Sequence, residues 1–270
     1  MIRIFKQYKK KKQQVAIFIL CAAILLAGAY WGISAMYKNG FARCVEFQIT
    51  HSATAAFVCG NHYFGVYGSS NYDIQKAEYY FGKAIEIDPN TPDAWHQYAR
   101  IAFLHGNFTD ALYRINMQFK MRGDELMASY YIRGLIEGYA KQYPAAEQDF
   151  LKFLEWDPDN WAANNDLAWI YFSQGKFKDS AERSEFGLKH NPYSPWLLVM
   201  HAMSVYNLGD SETAKDELKR ARDIAEGLRE EDWIRAYPGN DQLVAAEGLA
   251  SFRKTIADNI LLVENNSSSH

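Results

Sequence analysis

Few side chains in this 270-residue chain stand where reaction chemistry would need them. Acid–base or metal chemistry asks for His, Cys or carboxylates converging at short spacing on one helix face or loop. The seven histidines are dispersed instead, at His51, His62, His96, His105, His190, His201 and His270. No pair of them has ligand spacing. His96, His105, His190 and His201 each fall on a predicted helix or its end. There is no glycine-rich phosphate loop, no His-Glu-x-x-His, no Cys-x-x-Cys and no nucleophile elbow. The carboxylates Glu230-Glu231-Asp232 and Asp157/Asp159 read as solvated surface and turn residues. The chain therefore reads as a non-enzyme, with no catalytic, cofactor-binding or metal-binding residue assigned.

Thiol chemistry remains. Cys21 lies inside an apolar run and reads as inert. A continuous helix would hold Cys44 and Cys59 about 22 Å apart, beyond disulfide reach. A bond between them needs a chain reversal, near Thr50 to Ser52. It also needs an oxidising compartment.

The N-terminus bears on that compartment. Val15 to Tyr37 is 23 residues without a charge. As a helix it reaches about 35 Å, enough to cross a bilayer with some tilt. Tyr30, Trp31 and Tyr37 would sit toward one interface. Arg3, Lys6 and Lys9 to Lys12 precede the span, and only Lys38 and Arg43 closely follow it. The positive-inside rule then puts Met1 in the cytoplasm and the rest in the periplasm or outside the cell. Three readings of the stretch stand. One is an uncleaved signal-anchor, favoured because apolar character continues past Ala29. Another is a signal peptide cut at Ala27-Gly28-Ala29. The third is a buried core helix, against which the flanking lysine run argues. Met1 to Arg43 holds eight basic residues and no acid, leaving 21 basic and 32 acidic residues, a net of −11. So acidic a domain is a poor ligand for nucleic acid or anionic lipid.

The elements that would position a binding surface are helical and repeated. Trp161 to Ser173 has helix spacing, with Leu167, Ala168, Ile170 and Tyr171 on one face. Gly175 stops that helix, a second runs from Asp179 to His190, and Asn191-Pro192 closes the pair. One such pair of about 34 residues cannot bury its own apolar face. Copies flank it. Trp95, Tyr98, Ala99 and Ala102 precede Gly106, Phe108, Ala111 and Ile115. Tyr130, Gly134 and Glu137 precede Tyr143, Ala146, Phe150 and Pro158. Leu198, Ala202 and Val205 precede Gly209, Ala214, Leu218 and Ala221. Upstream, Phe64, Gly65, Ala77, Phe81, Ala84 and Pro89 make a weaker copy. The turn positions Gly106, Lys141, Gly175 and Gly209 are 35, 34 and 34 residues apart.

This ladder, over roughly Val58 to Asp223, resembles the tetratricopeptide repeat family. The resemblance implies an all-α, right-handed solenoid of helix-turn-helix units. Lys141 in place of the turn glycine and Ser180 and Ser184 at Ala and aromatic positions depart from the pattern, as does Gly123 in place of Pro. The expected organisation is a basic segment over 1–14, a transmembrane helix over 15–37 and a connecting and first-repeat segment over 38–72. Repeats follow over 73–226, then a capping helix over 240–262 and a polar, disordered tail over 263–270.

In this family the first helix of each repeat lines a groove that takes an extended or helical peptide. Carried over by register, the groove falls on His96, Arg100 and Phe103, then Tyr131, Leu135 and Tyr139. It continues through Asn165, Asp166, Trp169 and Phe172 to Met200, Met203 and Tyr206. Aromatics and Met are enriched at protein interfaces. A carboxylate clamp is not supported: Asn165 is placed for it, but the lysines are missing. The expected function is a membrane-anchored scaffold that binds a protein partner at the cell envelope and no nucleic acid. The alternatives are an adaptor subunit of an envelope enzyme or of a secretion or pilus assembly complex, and a self-associating structural protein.

Overall fold

The computed structural model describes residues 41–66, 71–236 and 241–267. The basic segment 1–14 and the span 15–37 lie outside them. The described residues form thirteen α-helices, one 3-10 turn and no strand. None of these helices is long and apolar enough to cross a membrane. The chain divides into two compact units, at Thr91/Pro92.

The first unit holds α1 (Phe41–Thr50), α2 (Ala53–Tyr63) and α3 (Ile74–Ile87). The chain reverses at His51, which takes the left-handed conformation (φ 51°). Ser52 then caps α2 by accepting from the Ala55 N–H. The reversal folds α1 onto α2 and brings Cys44 and Cys59 into a disulfide, with Cα atoms 4.8 Å apart and both side chains buried. Helices α2 and α3 approach closely at Gly60, where a Cβ would meet the fully buried Phe81 ring at 2.5 Å. This corrects the sequence ladder, which set Phe64 and Gly65 on the first helix. That helix ends at Tyr63, Phe64 caps it and Gly65 has φ 75°. The connector to α3 covers 64–73, against three residues in each later pair, so the sequence register slipped.

The second unit stacks four helix pairs. They are α4 (Ala94–Leu104) with α5 (Phe108–Arg122), α6 (Ala128–Tyr139) with α7 (Tyr143–Trp156), α8 (Trp161–Ser173) with α9 (Phe177–His190), and α10 (Pro195–Asn207) with α11 (Ser211–Glu226). Side-chain caps set many of the helix starts: Asn107, Asn160, Ser194 and Asp210 each accept from a backbone N–H three residues on. Each pair turns on a left-handed residue, Gly106, Gly175 and Gly209 in three of them. In the fourth the residue is Lys141, at φ 61°, a conformation that costs a side-chain-bearing residue about 1 kcal/mol or more. One core runs from Ala99 through Ile136 and Phe150 to Ile170. A second joins Leu198, Leu218, Ile256 and Val263.

The departures in the α8–α9 pair have packing causes. Ser180 Oγ lies 2.8 Å from the Ala168 carbonyl and 2.7 Å from the Ser204 hydroxyl, tying α9 to both α8 and α10. Ser184 donates back to the Ser180 carbonyl, 2.7 Å. Gly187 lets Leu197 of α10 come so near that a Cβ would meet it at 2.7 Å.

Beyond α11 come α12 (Glu230–Ala236), a 3-10 turn (Gln242–Val244) and α13 (Ala245–Ser267). The capping helix therefore starts later than residue 240 and continues through much of the segment expected to be a disordered tail. The cause is a stripe that does not stop at Leu262: Leu249, Phe252, Ile256 and Ile260 are followed at helical spacing by Val263, which is fully buried in the second core.

Candidate functional site

The first helices of the pairs lie side by side, α4 against α6, α6 against α8 and α8 against α10. On their shared face, with α12 and α13, is a cavity of about 300 Å³. Seven of the thirteen residues placed there by register line it: Phe103, Leu135, Tyr139, Asn165, Asp166, Trp169 and Met200.

The aromatic wall on one side is a chain of ring contacts. Phe103 meets Tyr139 edge-on at 5.2 Å, and Tyr139 meets Trp169 at 5.3 Å. Tyr139 keeps 54% of its surface exposed, a large aromatic that its own fold does not cover. Its hydroxyl pKa is raised, first by desolvation and then by the Asp166 charge. Asp166 itself is buried. Its Oδ2 accepts from the Tyr131 hydroxyl at 2.7 Å, and its Oδ1 from Asn165 Nδ2 at 3.3 Å. Tyr131 therefore serves the groove from behind: buried against Phe150 and Phe153, it orients the carboxylate.

The other predicted residues have different roles. His96 is buried, with Nδ1 3.0 Å from Ser129 Oγ and its backbone N–H donating to Gln118 Oε1. Burial, helped by the nearby Arg100 charge, pushes its pKa down to about 3, so it is a neutral link between helices. Arg100 turns one guanidinium nitrogen to Gln97 Oε1, 2.7 Å away. Phe172 packs edge-on against Phe177 across the α8–α9 turn. Met203 and Tyr206 pack on the second core.

Three lining residues escaped the sequence register: Trp196, Trp233 and Phe252. Trp196 stacks on Phe252 at 5.2 Å with rings 12° apart, and Trp233 lies 6.0 Å and 5.8 Å from the two. Trp196 precedes Met200 by one helical turn, so the same spacing could have found it. Trp233 and Phe252 belong to α12 and α13, outside the repeat, where register says nothing. Among the described residues no group of three His, Cys, Asp or Glu side chains could hold a metal ion.

A tetratricopeptide repeat family model matches residues 80–113 and 150–182. The two windows start 70 residues apart, about twice the repeat step. Over these residues the chain matches the tetratricopeptide repeat. No curated protein sequence matches it. Solved structures share the fold. YrrB, described as a tetratricopeptide repeat protein with an unusual peptide-binding site, superposes with a TM-score of 0.56 at 14% identity, over 70% of this chain and 94% of its own. MamA from Desulfovibrio magneticus RS-1 gives 0.53 at 15% identity, over 62% and 95%. The Cut9-Hcn1 hetero-tetramer of the APC/C gives 0.57 at 12% identity, over 85% of this chain and 47% of that one. At these identities the likeness is one of fold.

Proposed function

We propose that the protein is a membrane-anchored scaffold whose tetratricopeptide repeats hold a peptide or helix of a protein partner outside the cytoplasm. The observation that carries this reading is the cavity itself, walled by Tyr139, Trp169 and Trp196 on neighbouring first helices. Partly uncovered aromatics on rigid helices are the residues that dominate protein interfaces. The peptide-binding site attributed to YrrB supports a similar use of this fold here. For location, the supports are the 23-residue uncharged stretch Val15 to Tyr37 and the Cys44–Cys59 disulfide, a bond that persists in oxidising compartments.

The test is photocrosslinking in cells that express the full chain. A benzophenone amino acid at Tyr139 is expected to capture a discrete partner, and one at the exposed Tyr193 is not. Trp169→Ala is expected to abolish the capture. Identical products from both positions would remove the groove assignment.

A further inference from the structure

We propose that the outer face of α1, which carries Val45 and Ile49, lies against the lipid surface of the membrane from which the chain emerges. The inference rests on the anchor in the reading above and adds a second contact between the protein and the bilayer.

Three observations converge. The first is an apolar face that the fold leaves uncovered. Ile49 is 77% exposed and Val45 46%, and four residues apart they share one side of α1. Cys44 and Phe47, on nearly the opposite side, are buried. Cys44 is bonded to Cys59 of α2, and Phe47 meets Tyr80 of α3 edge-on at 5.6 Å. These two attachments fix the orientation of α1, so Val45 and Ile49 are presented as a rigid pair.

The second is a lack of charge. Glu46 is the one formally charged residue from Cys44 to Tyr72, in a chain that is 23% charged. A water-facing surface carries charge on roughly a quarter to a third of its residues. The exposed described residues of α1 and α2 are Val45, Gln48, Ile49, Thr50 and Thr54. Glu46 is only half-buried, and Arg43 pairs with it at 2.5 Å. Aliphatic and uncharged polar side chains suit the boundary between headgroups and acyl chains. The remainder of the chain, at a net of −11 from residue 44 onward, suits water.

The third is the tether. Only Lys38, Asn39 and Gly40 separate the uncharged stretch ending at Tyr37 from α1. Four Cα steps reach at most about 14 Å. The interfacial layer on each side of a bilayer is itself about 5–8 Å deep. So short a tether keeps α1 beside the lipid and makes the contact intramolecular, which a face shared with a second copy would not be.

The experiment measures depth in the full chain, reconstituted in phosphatidylcholine vesicles. A nitroxide is attached through a ketone-bearing amino acid at Ile49 or at Val45, which leaves the Cys44–Cys59 disulfide intact. Oxygen concentrates in the bilayer and a nickel chelate in water, so the ratio of their collision rates reports depth. Oxygen-dominated collisions are expected at both positions. With the label at Val45, Ile49→Glu changes an exposed residue and is expected to raise nickel collisions about threefold or more. Nickel-dominated collisions at both positions, or no response to Ile49→Glu, would overturn the inference. So would spin–spin broadening that disappears on dilution with unlabelled protein, which would assign the face to a second copy. Flotation separates the two readings. Protein that does not float with the vesicles after a carbonate wash overturns the anchor and this inference with it. Protein that floats while both labels stay in water overturns this inference alone.

Discussion

Glu137→Gln should make the protein more stable at pH 8 and leave it nearly unchanged near pH 4.5. Glu137 lies on α6 and is only 8% exposed, at the position where α8 has Tyr171. Arg133 is committed elsewhere, clasping Asp149 through Nε at 2.5 Å and Nη2 at 2.8 Å, and reaches Glu137 only at 4.0 Å. Its guanidinium lies over the Phe119 ring. Glu137 Oε2 has no hydrogen-bond partner among the described residues. Burial first, and then the Asp149 charge, push the Glu137 pKa up from 4.5 to about 7.

The sign follows from proton counting. Between pH 4.5 and 7 the folded chain keeps a proton that the unfolded chain releases. Stability from this group is therefore full below pH 4.5, falls as pH rises through 7 and is flat above. A rise of 2.5 units corresponds to about 3 kcal/mol. Glutamine keeps the shape of the protonated acid, can donate to Asp149 and does not titrate. Denaturant unfolding of the full chain in detergent, at half-unit steps from pH 4.5 to 8, would give the difference between variant and parent. Taking the difference cancels every other titrating group. A difference that grows to about 3 kcal/mol in favour of the variant is expected. One independent of pH, or one that favours the parent at pH 8, would refute the assignment of a buried protonated carboxyl.

Four further outcomes are expected. Lys141→Gly should raise the unfolding midpoint by the equivalent of about 1 kcal/mol, because Lys141 is exposed and holds φ 61°; a fall would mean its side chain contributes more than the strain costs. Gly187→Ala should destabilise by about 1–3 kcal/mol, since its Cβ would meet the buried Leu197 at 2.7 Å; unchanged thermal unfolding would show that α9 and α10 can separate freely. Replacing Cys44 and Cys59 by serine should cost about 3 kcal/mol for a loop of this length and speed amide exchange in α1 and α2. In cells, a maleimide mass tag should miss both thiols until reductant is added, and tagging without reductant would count against export.

How far the sequence could be read depends on which parts obey the repeat. Four pairs were legible because a left-handed turn position recurs every 34 or 35 residues, and even Lys141 keeps the backbone of the glycine it replaces. The first pair was displaced because a ten-residue connector replaces a three-residue turn, so Gly60 rather than Gly65 meets Phe81. Register chose a face of each first helix, and seven of its thirteen residues line the cavity, but it did not tell how deep each residue sits. His96 and Tyr131 share the spacing of Phe103 and Leu135, yet both are buried and hydrogen-bonded. Spacing fixes direction around the helix; depth depends on what the next helix brings, and Ser129 and Asp166 come from other repeats.

The cap shows the same limit from the other side. A terminal helix is expected to cover the exposed end of a helical stack, and Ile256, Ile260 and Val263 do so by completing the second core. Phe252 lies on the same helix, one turn before Ile256; it packs against the second core and also stacks on Trp196 at the cavity. One helix thus serves both the core and the cavity. The repeats alone would make a groove open along the first helices. Trp233 and Phe252 add aromatic rings to the cavity lining from outside the repeats. The lining therefore draws on the non-repeating segment as well as on the first helices of the repeats, and a change in α12 or α13 would reshape the cavity without touching the repeat register.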